Sequence, residues 1–190
     1  MWSLPLLYST YYKQAAPKSR FKSGWCYVHV IVDKATRYCV CYLSKNKEAS
    51  TLAAHFMRWH AYLKHKHPTI KVKSLHTDAD PSYLSEELFI NPVSALGISV
   101  RSSPKLTHES SGTVERAQRY LAESAIAMIL GSRLGKPFLP FAMLYAAQIR
   151  NCYPQKDREH RSAHVQLFSS HPDLTRFHPF GATAIANRDP

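Results

Sequence analysis

At 190 residues and 45% apolar content, the chain has enough material for one self-sufficient globular domain, which excludes a disordered polypeptide. Its 25 basic and 13 acidic residues give a formal charge of +12, which favours a polyanionic partner, nucleic acid first. No basic amphipathic helix, lipidation motif or bilayer-length apolar run speaks for a membrane. The four cysteines form no C-x-x-C pair and Met1–Leu7 lacks the make-up of a signal peptide, so the reading is an unsecreted protein without disulfides or a zinc site.

Residues 1–24 read as irregular from composition. Trp25 to Val32, rich in Val, Ile and Tyr, predicts a strand. The polar break Asp33-Lys34-Ala35-Thr36 and the apolar run Tyr38 to Leu43 make it the first arm of an antiparallel hairpin. Between Lys47 and Lys66, Leu52, Ala53, Phe56, Met57, His60 and Leu63 recur at helical spacing, and Pro68 ends the helix. Ile70 to Thr77 predicts a strand, Pro81 to Phe89 a short helix, and Gly97 to Val100 another strand. Arg101 to Ser111 reads as a polar loop. Gly112 to Leu130 and Pro137 to Asn151 read as two further helices. Beyond Pro154 the chain turns polar: Gln155 to His164 reads as a linker and the rest as an irregular extension. Hairpin strands followed by strands alternating with helices predict an α/β fold with a mixed sheet.

Two carboxylates stand where chemistry is built. Asp78 follows His76-Thr77 at the C-terminal end of a strand, where open α/β sheets place their ligands. Glu115 follows a Ser/Gly loop, Thr107 to Gly112, in the predicted first turn of a helix. In so basic a chain this pair suggests a divalent-metal site acting on a phosphate backbone. The plainer alternatives are a turn residue at Asp78, with Asp80 the better helix cap, and a dipole contact at Glu115. Arg116 and Arg119 lie one turn apart beside this site. Lys64, Lys66, Lys71, Lys73, Arg101 and Lys105 add further positive charge that could track phosphates.

Several segments, in order, resemble the integrase core of Copia-type LTR retrotransposons, relatives of the retroviral integrases. Val32-Asp33-Lys34-Ala35-Thr36-Arg37-Tyr38 is similar to the family's D-x-x-(S/T)-R-(Y/F) hairpin, and Lys45-Asn46-Lys47-Glu48-Ala49 to its K-x-K-x-E-A helix start. His76-Thr77-Asp78 falls at its second catalytic Asp, and Gly97-Ile98 at its G-I strand. Thr107 to Arg116 resembles T-P-x-x-N-G-x-x-E-R, keeping Gly112, Glu115 and Arg116. His171-Pro172-Asp173-Leu174 and Phe180-Gly181 resemble the segment just after the core.

The resemblance implies an RNase H-like fold, a five-stranded mixed sheet flanked by helices. Residues 1–154 would form the core and 155–190 a linker and the start of the post-core region. It implies a D-D-E triad holding two Mg²⁺ or Mn²⁺ ions for DNA integration, with Asp78 and Glu115 as catalytic and metal-binding members. Lys105, Arg116 and Arg119 would contact DNA. A nuclear location and work as a homo-oligomer also follow from the family.

The pattern departs from the family at one decisive place. Thr10, or as second choice Ser9, stands where the first triad Asp belongs, and no Asp or Glu precedes Asp33. A hydroxyl brings no negative charge to hold two dications together. His108 and Ser111 replace the loop's Pro and Asn. The expectation is an integrase-like domain with impaired catalysis. The alternatives are a non-catalytic DNA- or protein-binding module of the same fold, or a nuclease that uses Asp80.

Overall fold

The hairpin organises the sheet. β3 (Tyr27–Asp33) and β4 (Cys39–Ser44) pair antiparallel, with Val30 opposite Cys41 and Val32 opposite Cys39. Alternation sends Val28, Val30 and Val32 to one face and Ile31 to the other, so the two faces feed separate cores. A computed structural model describes residues 3–4, 7–13, 25–77, 85–102, 108–154 and 159–183.

The hairpin turn closes on Asp33. This carboxylate is buried and accepts from the Thr36 backbone N–H at 2.7 Å and from Thr36 Oγ1 at 2.5 Å. Arg37 then takes a left-handed φ of 63°, a conformation a non-glycine residue adopts only when its surroundings fix it. Arg150 supplies one such fixture, donating from Nη1 to the Arg37 carbonyl at 2.6 Å.

The first two dozen residues, irregular by composition, contribute two strands, β1 (Ser3–Leu4) and β2 (Leu7–Lys13). β2 lies in the middle of the five-stranded sheet, whose order is β4-β3-β2-β6-β7. It is antiparallel to β3 and parallel to β6 (Ser74–Thr77). The sheet is therefore mixed, as expected. β1 pairs with β5 (Lys71–Val72) in a separate two-stranded ribbon. The predicted strand from Ile70 to Thr77 is thus split between two sheets. Strand β7 is Ser99–Ser102, so Arg101 and Ser102 belong to the sheet and not to the loop.

On one face, α1 (Ala49–Lys66) buries Leu52, Phe56, Trp59 and Leu63 against Ile31, Leu75 and Ile98. Asn46 accepts from the Thr51 hydroxyl at 2.8 Å and so steadies the first turn. A π-helical turn, Glu86–Ile90, runs directly into α2 (Asn91–Ser94), carrying helical backbone past the predicted stop at Phe89. Pro92 is tolerated because it sits in a first turn.

On the other face, α3 (His108–Ser132) buries Val114, Ala117, Leu121, Ala125 and Ile129, one stripe at helical spacing, over Val28, Val30 and Val32. After a 3₁₀ turn at Lys136–Phe138, α4 (Leu139–Cys152) packs beside it through Ala142, Met143, Ala146 and Ala147. Small side chains allow that close helix approach. The two helix layers on a mixed sheet match the α/β expectation. Among the described residues no helix is long and apolar enough to cross a membrane, and all four cysteines are free thiols.

The described residues after Pro154, 159–183, pack more tightly than a linker and an irregular tail would. Ser162 caps α5 (Ala163–Phe168), and Leu167 and Phe168 join the α1-side core. Phe168 also stacks on His67 and meets the edge of Tyr38. Farther on, Phe180 packs into the α3–α4 core and against Tyr145. Gly181 has φ +83°, and a Cβ there would stand 2.6 Å from Ser132 Cβ, so only glycine fits the turn.

Candidate functional site

The strand register fixes the centre of the site. Ser9 on β2 pairs with Thr77 on β6, and Thr10, the next residue, pairs with Val30 on β3. Thr77 is also the residue that precedes Asp78 in sequence. Val30 belongs to the face covered by α3, so position 10 shares that face. Asp78, Asp80 and Lys105 lie outside the described residues.

Glu115 lies on α3, which packs on β2 and β3. The helix begins at His108, four residues earlier than its predicted start at Gly112. Glu115 therefore stands about two turns in, and the first-turn dipole argument does not apply to it. Reason for the early start lies in the chain itself: His108-Glu109-Ser110-Ser111 carries no proline, and the favourable helix downstream extends backwards through it.

The side chain of Glu115 is exposed, as are those of Arg116 and Arg119. Its neighbours hold the backbone in place. Val114 is buried in the core, and Thr113, also buried, accepts a hydrogen bond from the Arg37 guanidinium. Arg37 thus ties the hairpin turn to the helix that carries Glu115. Composition gave no sign of this role, because an Arg in a turn motif reads as a solvated residue.

Asp33 does not supply the missing carboxylate. It sits at the end of β3 opposite Leu7, three register positions from Thr10, and its carboxylate is engaged by Thr36. Among the described residues no three His, Cys, Asp or Glu side chains gather where they could hold a metal ion.

The register places a different set of groups nearby. His76 pairs with Tyr8 on one side and with Arg101 on the other, in the row that also holds Val32. Burial lowers the His76 pKa, and the charges of Arg101 and Lys34 lower it further, so both cations lie within electrostatic reach of this ring. His76 is half-buried, whereas Lys34 and Arg101 are exposed. A signal for this cluster exists in the sequence: His76 opens the His76-Thr77-Asp78 motif.

A cavity of about 210 Å³ sits elsewhere, between β4 and α4, lined by Cys39, Cys41, Leu144, Gln148 and Asn151. The contact with Cys39, together with burial, holds the Cys41 thiol above the ordinary range and makes it a poor nucleophile.

No family model matches the chain. The retrovirus-related Pol polyprotein from transposon RE1 of Arabidopsis thaliana is 24% identical over 181 residues, which span 95% of this chain and 11% of the polyprotein. Among solved structures, the HTLV-2 integrase catalytic core domain in complex with magnesium, in a trimeric form, superposes with a TM-score of 0.64 at 18% identity. That likeness covers 88% of this chain and 98% of the viral domain. The fold is that of an integrase catalytic core. The BIV integrase catalytic core gives 0.62 at 17% identity, covering 86% and 93% of the two chains. A chain of the simian T-cell lymphotropic virus intasome gives 0.70 at 16% identity, covering all of this chain and 61% of its own. Sequence and fold together support an integrase-core-like domain of retrotransposon type, as the ordered motifs indicated. The chain spans about a tenth of the polyprotein relative.

Proposed function

We infer that this integrase-core-like domain binds DNA along the α3 face of its sheet and has impaired polynucleotidyl transfer. The observation that carries the reading is position 10. On the central strand it lies opposite Val30 of β3 and follows the residue opposite Thr77, and it is a threonine. A two-metal displacement at phosphorus needs carboxylates shared between both ions. Here Asp78 and Glu115 are left as donors, with a hydroxyl at the third position and Asp33 committed to its turn. The donor set does not fit a pair of Mg²⁺ or Mn²⁺ ions; one ion is the most that two carboxylates would hold.

What the remaining residues can do is grip a polyanion. Arg116 and Arg119 are exposed on the helix that carries Glu115, and Lys105 precedes it in sequence. Each is suited to a phosphate contact, which contributes affinity without sequence preference. Self-association fits the same reading, since the HTLV-2 core is trimeric and the simian virus chain comes from an intasome. A nuclear site of action follows from DNA as the partner.

The decisive experiment is strand transfer on a short duplex in Mg²⁺ or Mn²⁺. The expected result is no turnover above background. Robust turnover that Glu115→Gln abolishes would refute the loss of activity. A second measurement separates the alternative: a non-catalytic module predicts that Asp78→Asn leaves the thermal midpoint in Mg²⁺ unchanged while salt-sensitive DNA binding persists.

A further inference from the structure

We propose that Cys39 and Cys41 form a two-coordinate site for a soft monovalent ion, Cu⁺, reached through the cavity between β4 and α4. The site is separate from Glu115 and does not depend on the DNA-binding reading.

The strand sets the pair. Cys39 and Cys41 lie opposite Val32 and Val30, two residues apart on β4, so both side chains leave the same face of the sheet. Both are free thiols and both line the cavity of about 210 Å³. β4 is an edge strand; Cys39 is buried there and Cys41 half-buried, which leaves the pair within reach of solvent. Asn151 fixes the deeper partner by gripping the Cys39 backbone N–H and carbonyl at 2.8 and 2.7 Å.

The two sulfurs already share a proton. The Cys41 thiol donates to the Cys39 sulfur, and the charge of Arg150 favours a thiolate there as well. Arg150 precedes Asn151 on α4 and is anchored on the Arg37 carbonyl at 2.6 Å.

Spacing then separates the chemistries open to such a pair. Strand neighbours two residues apart have Cα atoms about 6.6–6.8 Å apart, the outer limit for a disulfide, and their parallel Cβ directions oppose the closer approach an S–S bond demands. An ion bonded at about 2.3 Å to each sulfur spans up to about 4.6 Å, which a rotamer adjustment supplies. Zinc needs two more donors, and among the described residues no three His, Cys, Asp or Glu side chains gather to hold a metal. Soft thiolates select Cu⁺, a d¹⁰ ion that is stable with two of them in line. Binding releases the two thiol protons and leaves one net negative charge, which Arg150 offsets.

The test loads the whole reduced chain anaerobically with Cu⁺ supplied as its bicinchoninate complex, then desalts it and measures copper. Wild type should retain about one ion per chain. Cys39→Ser and Cys41→Ser should each lose it, while Cys26→Ser and Cys152→Ser keep it, with circular dichroism melts to confirm that the variants fold. X-ray absorption on the loaded wild type answers without any variant, and two sulfur neighbours are expected. Three results would overturn the proposal: no copper on the wild type, a nitrogen or oxygen ligand shell, or retention that survives in folded Cys39→Ser or Cys41→Ser.

Discussion

The two ends of the sheet satisfy their polar groups in opposite ways. At the β3–β4 corner, hydrogen bonds from within the protein tie the turn together. Asp33 is met by Thr36, the Arg37 carbonyl by Arg150, and Thr113 by Arg37. Asn151 closes the outer edge of β4, accepting from the Cys39 N–H at 2.8 Å and donating to the Cys39 carbonyl at 2.7 Å. At the β6–β7 end, the half-buried His76 ring lies within electrostatic reach of two exposed cations, Arg101 and Lys34. The first arrangement is how a fold is fixed. The second leaves charged side chains at the surface, where a polyanion can reach them.

Acid should expose the difference most strongly. His29, fully buried on β3, has its pKa lowered to about 3 by burial and then by His55, whose ring stacks on it. The folded state therefore holds the neutral ring where the unfolded chain would protonate. Stability contributed by this residue is complete above about pH 6.5 and falls by ~1.4 kcal/mol per unit as pH drops toward 3. Urea melts between pH 7 and 4 would show it, and His29→Gln should flatten the dependence. Next in size is Asn151→Leu, which strands the Cys39 N–H and carbonyl; a loss of about 3 kcal/mol is expected by denaturant titration. Gly181→Ala should cost about 1–2 kcal/mol, since the new methyl meets Ser132 in a left-handed backbone. Smallest is Arg101→Gln, which should change stability by no more than about 0.5 kcal/mol while weakening DNA binding most at low salt. A large stability loss from Arg101→Gln would erase the contrast between the two ends.

The corner was the more legible end in the sequence. Alternation of Val28, Val30 and Val32, the polar break after Val32, and the helical spacing from Leu52 to Leu63 lead directly to β3, β4 and α1. The central strand was not legible from composition. Leu7-Tyr8-Ser9-Thr10-Tyr11-Tyr12-Lys13 has no alternating apolar pattern, because a strand hydrogen-bonded on both sides is specified by its neighbours more than by its own residues. Only the spacing to Asp33 and the resemblance pointed to it. The early start of α3 was hidden by Ser110-Ser111-Gly112, residues that usually mark a loop but are carried here by a long helix. Candidate residues fared unevenly for a similar reason. Glu115, Arg116 and Arg119 announce themselves by type. The cation pair around His76 depends on which strands become neighbours, and that information is not local.

The docked tail has a practical consequence. Leu167, Phe168 and Phe180 seal surface on both helix layers, and Tyr145 donates its hydroxyl to the His178 carbonyl. A recombinant fragment trimmed at Pro154, where the motif alignment would end the core, would bare greasy patches on α1 and α4 and invite clumping during purification. Expression work on this domain should therefore keep the chain through at least Gly181.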